Sequence, residues 1–516
     1  MYNAIGIDLG TTNSVAAYSN KGKIEIININ GKNILPSVIC IKGNDILVGS
    51  EAKSRRLISP ENTILSSKRY IGKEKTYNIK GRIFKPEDVA YHILKTIKEK
   101  ASESIGEKIK DVVITVPAYF TSEQREETKR AGERAGLNIL RLIPEPTAAA
   151  LDYGINQSKD QIIMVYDLGG GTFDISIMKV SGNDFEVLAV DGDSNLGGID
   201  FDEIIYKMIL SKVNEELREN IVLSKDKKYV SVVTKIKEEA EKVKINLSEF
   251  EEVEIMIPNL IEDYSLDMSI SRKEFNIASA HLIDKTVSKI HNALKIARLD
   301  EDDIDRIILV GGSTKMPIIK ETIKYKFKEP YIASNVDEVV ARGAALMASS
   351  LSAPEVYRGG EINKIDLTKN IIVKEKTVFT YGIDMIDKHK KLYFQPIIQR
   401  GSTLPAVNGV FGYTMNPYQE QVYMSVLRGE SRIPDENEYL GELKLDIKNI
   451  SKEQVPIFAL FEIDEDMIIN FTSVEIPLTR EFHNIIKNNN VNEIHNCIKK
   501  GILNGKTIRL NDKNKN

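Results

Sequence analysis

The segment Ile5-Gly6-Ile7-Asp8-Leu9-Gly10-Thr11-Thr12-Asn13-Ser14 returns in altered form as Val165-Tyr166-Asp167-Leu168-Gly169-Gly170-Gly171-Thr172-Phe173-Asp174. Each copy reads as a strand, an Asp-Leu-Gly end, a Gly/Thr turn and the start of a second strand. A chain that carries this unit twice is expected to fold into two similar lobes facing each other across a cleft. Around the copies, the β-branched runs Asp111 to Val116, Ile162 to Tyr166 and Arg306 to Val310 alternate with long helical patterns, so residues 1 to about 350 read as an α/β domain.

At 516 residues the chain exceeds one ordinary hydrophobic core, and further domains must follow. Residues 351–370, with Pro354, Gly359 and Gly360, read as a linker. Residues 371–478 carry short strand-like runs such as Gln421 to Leu427 and Val455 to Ile463, separated by Gly, Pro and Asn turns, and are expected to form a small all-β sandwich. Residues 479–516 are rich in Asn and Lys and read as a short tail with one amphipathic helix near Ile494 to Ile498.

Composition narrows the function by exclusion. Lys+Arg 71 against Asp+Glu 75 gives a net charge of −4, so no global field draws the chain to nucleic acid or to an anionic membrane. No basic leader and no membrane-length apolar run is read, which points to the cytoplasm. Cys40 and Cys497 match no metal-ligand spacing and read as free thiols.

Asp8-Leu-Gly-Thr-Thr12 sets a carboxylate at a strand end before a tight turn whose N–H groups and hydroxyls can surround phosphate, and Asp167-Leu-Gly-Gly-Gly-Thr172 offers the same. Glycine lets main chain approach an anion without a Cβ in the way. Aspartate repels phosphate, so it implies a bridging cation and water, with Mg²⁺ the natural choice. Either segment alone is also compatible with an ordinary Gly-rich hairpin turn; two matched copies favour the phosphate reading.

Together with Ile114-Thr-Val-Pro-Ala-Tyr-Phe120, Glu145-Pro-Thr-Ala-Ala-Ala150 and Leu309-Val-Gly-Gly-Ser-Thr-Lys-Met-Pro317, these segments resemble the DnaK-type seventy-kilodalton heat-shock chaperones. The likeness continues more weakly to about residue 478, where Phe394-Gln-Pro-Ile-Ile-Gln-Arg400 and Tyr413-Thr-Met-Asn-Pro417 are most similar to the bacterial HscC branch. The resemblance implies an actin-like ATPase domain, ATP with Mg²⁺ and a potassium ion as a further candidate. It also implies a client of unfolded polypeptide, a J-domain co-chaperone and a nucleotide-exchange factor.

Residue by residue, the resemblance implies that Asp8, Glu145 and Asp167 order Mg²⁺ through water, that Thr11, Thr12, Gly170, Gly171 and Thr172 hold the phosphates with Asn13, Gly197 and Gly198 among the further ATP contacts, and that Asp8, Glu145, Asp167 and Thr172 form the catalytic set with Lys68. Lys68 takes the place of the family lysine beside the γ-phosphate, although by itself it reads as a surface lysine. Glu241, Lys244 and Ser248, one helix face by spacing and otherwise a solvated charged face, correspond to the ribose and base contacts. Gly311, Gly312, Ser313, Lys315 and Asp337 complete that set. Pro117 and Arg125 match the relay that senses bound ATP, and Ile383 and Val422 are nominated for a peptide pocket, with ordinary core the competing reading.

Three departures accompany the likeness. Lys315 replaces an arginine expected to stack on adenine, which an ammonium cannot do. Ile199 replaces an acidic residue, and Asn13 stands where some relatives have tyrosine. The linker offers only Ile371-Ile372-Val373 amid lysines in place of an acidic, leucine-rich strand, and residues 479–516 stand where relatives have a long helical lid, so weak coupling and fast peptide exchange are expected. An actin-superfamily filament or scaffold ATPase and a small-molecule kinase on the same fold remain the alternatives.

Overall fold

The computed structural model describes residues 4–154, 159–218, 221, 228–261, 264–333, 335–352 and 371–510. They fall into two compact units, one within residues 4–120 and 127–373 and the other within residues 121–126 and 374–510.

The first unit is built on two six-stranded sheets. In one, the Ile5–Leu9 strand lies between a parallel neighbour, Asp111–Val116, and an antiparallel one, Asn13–Asn20. In the other, Gln161–Leu168 lies between parallel Arg306–Val310 and antiparallel Phe173–Ser181. Asp8 pairs with Thr115 and Val15, and Asp167 with Val310 and Asp174, so the two aspartates hold equivalent positions in two copies of one motif. Each strand is buried on both faces, as expected where helices cover a sheet with parallel pairs.

Small residues let those helices sit close. A Cβ on Gly6 would stand 2.1 Å from the Ala345 nitrogen, and one on Gly343 would stand 1.7 Å from the Ala148 carbonyl oxygen. The helices Val339–Ser352 and Glu145–Gly154 therefore pack on backbone, and the second helix places Glu145 at its own first residue.

The expected linker begins inside that helix, at Leu351 and Ser352; Pro354, Gly359 and Gly360 lie outside the described residues. Beyond them the lysine-flanked segment is a strand, Ile372–Lys374, at the edge of the second sheet beside Asp184–Asp193. The Ile372 N–H donates to the Asn183 carbonyl at 3.1 Å, and Ile371 is buried.

The second unit contains two four-stranded antiparallel sheets. One runs Leu392–Ile398, Tyr381–Ile386, Gln421–Arg428, Glu438–Asp446; the other runs Ala406–Tyr413, Pro456–Ile463, Ile469–Glu475, Lys506–Arg509. Ile383, Val426 and Leu443 from the first share one apolar core with Ile457, Phe461 and Phe471 from the second.

The stretch expected as a tail after residue 478 differs from that expectation. It forms two helices, Arg480–Lys487 and Val491–Lys499, and then the fourth strand of the second sheet. Phe482, Ile485, Ile494 and Leu503 cover Phe458, Leu460, Val474 and Ile476, so this sheet is apolar on both faces. His495 Nε2 lies 2.8 Å from Glu462 Oε1 across the same contact. Cys40 is buried and Cys497 half-buried, and both are free.

Candidate active site

The two repeated turns meet. A Cβ on Gly170 would lie 2.1 Å from Thr12 Oγ1, and one on Gly171 would lie 2.6 Å from Thr11 Cγ2, so only glycine permits this approach. Between and beside the turns opens a cavity of about 520 Å³ in the first unit. Its lining includes Asp8, Thr11, Thr12, Asn13, Glu145, Asp167, Gly170, Thr172 and Gly198 at one end, and Glu241, Lys244, Ser248, Gly311, Gly312, Ser313, Lys315 and Asp337 at the other. Gly171 and Gly197 stand just behind it, where a Cβ on Gly197 would lie 2.6 Å from the Gly171 nitrogen.

Lys68 is no surface lysine. It lies on a 3-10 turn, Ser67–Tyr70, is 5% exposed, and places Nζ 2.5 Å from Glu145 Oε1 and 5.6 Å from the Phe120 ring centre. A buried ammonium is tolerated because a carboxylate meets it.

Asp8, Asp167 and Asp174 also feel the charge of this ammonium. Burial, with the Glu145 charge adding to it, pushes Asp8 up to about 7 and Asp174 up to about 7, and the same two causes raise Asp167 well above the ordinary range. Thr115 Oγ1 donates to Asp8 at 3.2 Å, and the Tyr119 N–H donates to Asp174 at 3.2 Å. Such a crowd of buried anions is suited to a divalent cation, which would relieve the repulsion. Among the described residues no group of three His, Cys, Asp or Glu side chains is placed to hold an ion directly.

At the other end, the helix Lys228–Asn246 carries Glu241 and Lys244, whereas Ser248 lies in the turn just beyond it and still lines the cavity. Lys244 Nζ bonds the Gly198 carbonyl at 3.1 Å and lies 2.7 Å from Asp202 Oδ1. Glu241 accepts from Lys53 at 3.1 Å, and Arg56 lies 3.7 Å from Glu238, two pairs that tie segments remote in sequence. Lys315 meets Asp337 at 2.6 Å. Asp202, Ile199 and Ile245 also line the cavity. Asp202 was not among the sequence candidates, and its only local signal is its place four residues after Gly198.

Pro117 is buried at the end of the Asp111–Val116 strand, and Arg125 is fully buried. In the second unit Ile383 belongs to the shared core and Val422 packs at its margin. Exposed apolar side chains lie close by: a Cβ on Gly412 would stand 3.4 Å from the Met385 methyl, which brings together the strand ends that carry Ile386 and Tyr413. Met415 follows in the next loop. None of these three was nominated from sequence. Among the described residues no helix is long and apolar enough to cross a membrane.

The Hsp70 protein family matches residues 4–516. Chaperone protein DnaK of Mycoplasma mobile is 39% identical over 479 residues, covering 91% of this chain and 76% of that protein. DnaK of Mycoplasmopsis synoviae is 38% identical, covering 92% and 77%, and that of Mycoplasmopsis pulmonis is 37% identical, covering 94% and 78%. These relatives carry the DnaK name, not that of the HscC branch. The chain belongs to the Hsp70 family of ATP-hydrolysing chaperones.

Proposed function

We propose that the cavity holds ATP with magnesium, phosphates between the two Gly/Thr turns and adenosine toward Glu241, Ser248 and Lys315, and that Lys68 is the catalytic cation. The observation that supports this reading is the buried Lys68–Glu145 pair, whose Glu145 lines the cavity that the two turns border. An ammonium has three donors. One is engaged by Glu145 Oε1, which leaves two for a phosphate oxygen and the attacking water. Lys68 would offset negative charge as the terminal phosphoryl is transferred to water and ADP departs. The hydroxyls of Thr11, Thr12 and Thr172 would donate to phosphate oxygens. Magnesium, held through water by Asp8, Glu145 and Asp167, would supply further charge neutralisation, and potassium is a second candidate ion.

The first unit is read as an actin-like pair of lobes and the second as a β-sandwich that runs past residue 478 to Arg509. That sandwich would capture extended apolar segments of non-native polypeptide by main-chain hydrogen bonds and an apolar pocket. Support comes from the exposed Ile386, Tyr413 and Met415 beside Ile383 and Val422. To this reading we add a J-domain co-chaperone, an exchange factor and a cytoplasmic location, for which membership of the family is the support. The test is steady-state ATP turnover with and without an unfolded polypeptide. Stimulation is expected; absence of turnover would remove the ATPase assignment, and turnover without stimulation would remove the client role.

A further inference from the structure

Lys68 is followed by a residue that reaches from the same 3-10 turn to the other phosphate-binding turn. Arg69 Nε donates to the Gly171 carbonyl at 2.9 Å, Nη1 lies 3.4 Å from Asp200 Oδ1, and Nη2 bonds Asp200 Oδ2. The side chain is only 13% exposed, so water competes little for these donors. Asp200 Oδ2 also accepts the Gly197 N–H at 2.8 Å and thereby fixes the start of the helix Gly198–Leu217. The Gly198 and Ile199 N–H groups in turn donate to the Gly169 and Gly170 carbonyls, each at 2.9 Å. One guanidinium is thus bound to both glycine turns of the second lobe.

We propose that Arg69 is a positioning residue for hydrolysis, which locks the Gly169–Thr172 and Gly197–Asp200 turns in register with the Lys68 ammonium. This inference rests on the reading of Lys68 as the catalytic cation. The planar fork of arginine can serve a carbonyl and a carboxylate at once, which an ammonium cannot do with the same rigidity. A trans peptide points its C=O and N–H in opposite directions. Holding the Gly171 carbonyl on Arg69 therefore turns the Thr172 N–H the other way, and Thr172 lines the cavity. Misplacement of reacting groups by about 1 Å can cost about 10²-fold in rate, so a partial loosening is expected to be felt in the chemical step.

The test compares the parent, K68A, R69A and the double variant by single-turnover hydrolysis, with ATP affinity from calorimetry. R69A is expected to slow hydrolysis about tenfold while changing ATP affinity less than about threefold, and R69K to recover only part of the rate. In the K68A background R69A should cost less than about twofold, because there is no longer a catalytic ammonium to keep in register. D200N, which preserves shape, should slow hydrolysis in the same direction and serves if R69A fails to fold. An R69A protein at the parental rate, or a loss in the K68A background as large as in the parent, overturns the inference. A K68A protein at the parental rate overturns the catalytic reading as well, and is told apart because it appears in the single variant.

Discussion

The Lys315 ammonium lies 2.6 Å from Asp337 Oδ2 at the end of the cavity proposed for adenosine, with its side chain more than half exposed. An exposed pair of this kind contributes about 0–1 kcal/mol, so it holds the lysine loosely. Lys315→Arg would keep the carboxylate partner and add a planar face for the base. Stacking of that face is worth roughly 0.5–2 kcal/mol, and ATP binding measured by calorimetry should tighten from about a few-fold to thirtyfold. Unchanged or weaker binding would mean that adenine lies elsewhere in the pocket.

Lys68→Ala should lower single-turnover hydrolysis by a factor on the order of 10² or more while ATP binding largely persists, since it removes charge stabilisation needed chiefly in the transition state. It also strips Glu145 of its buried partner, and an uncompensated charge of this kind costs about 3–5 kcal/mol. A fall in melting temperature in the absence of nucleotide is therefore expected alongside the rate loss, and scanning calorimetry checks it.

The buried carboxylates set a pH dependence with a definite sign. Asp8 and Asp174 are raised to about 7, so the folded protein holds protons there that the unfolded chain releases near its ordinary carboxylate range. Without ligand, this contribution to stability is fully present at low pH and is lost as pH rises through about 7. Magnesium needs the ionised form. Magnesium-dependent nucleotide affinity should therefore drop by roughly tenfold between about pH 8 and pH 6 for one such group. Titration calorimetry at the two pH values tests this, and a flat profile would show that the carboxylates are ionised throughout.

Ile494 is fully buried between the Val491–Lys499 helix and the outer face of the second sheet. Ile494→Ala should destabilise the second unit by about 2–5 kcal/mol. Urea unfolding followed by tyrosine fluorescence would check it, and a loss below about 0.5 kcal/mol would mean that the helices are not part of its core.

The two Asp-Leu-Gly turns are legible in the sequence because their parts are contiguous: strand, aspartate, glycine and threonine are neighbours along the chain. Burial of Lys68 is not, because a 3-10 turn of four residues carries no periodicity to reveal which side faces inward. The same holds for Lys53–Glu241 and Arg69–Asp200, whose partners are 188 and 131 residues apart. Spacing puts Ser248 on the helix, yet the helix stops at Asn246 and the turn returns the hydroxyl to the cavity. After residue 478 the helix around Ile494 to Ile498 is legible, whereas the Asn and Lys content masks Arg480–Lys487, since asparagine is a weak helix former in the interior but a good cap. Asn490 and Thr479 serve there as caps, accepting from the Glu493 and Phe482 N–H groups. The strand pattern of Ile372–Lys374 is hidden similarly by flanking lysines.

The strand Lys506–Arg509 pairs from Ser473↔Lys506 to Asn470↔Arg509, with Thr472 Oγ1 and Thr507 Oγ1 2.8 Å apart. Its partner Ile469–Glu475 is made first during synthesis and must wait through both helices before its free side is covered. Until residue 509 has left the ribosome, that strand presents unpaired N–H and C=O groups next to apolar Phe471 and Val474, a template for pairing with a second nascent chain. A protein that shields other chains from such encounters thus passes through the same hazard itself, and a truncation at residue 478 would make the interval permanent.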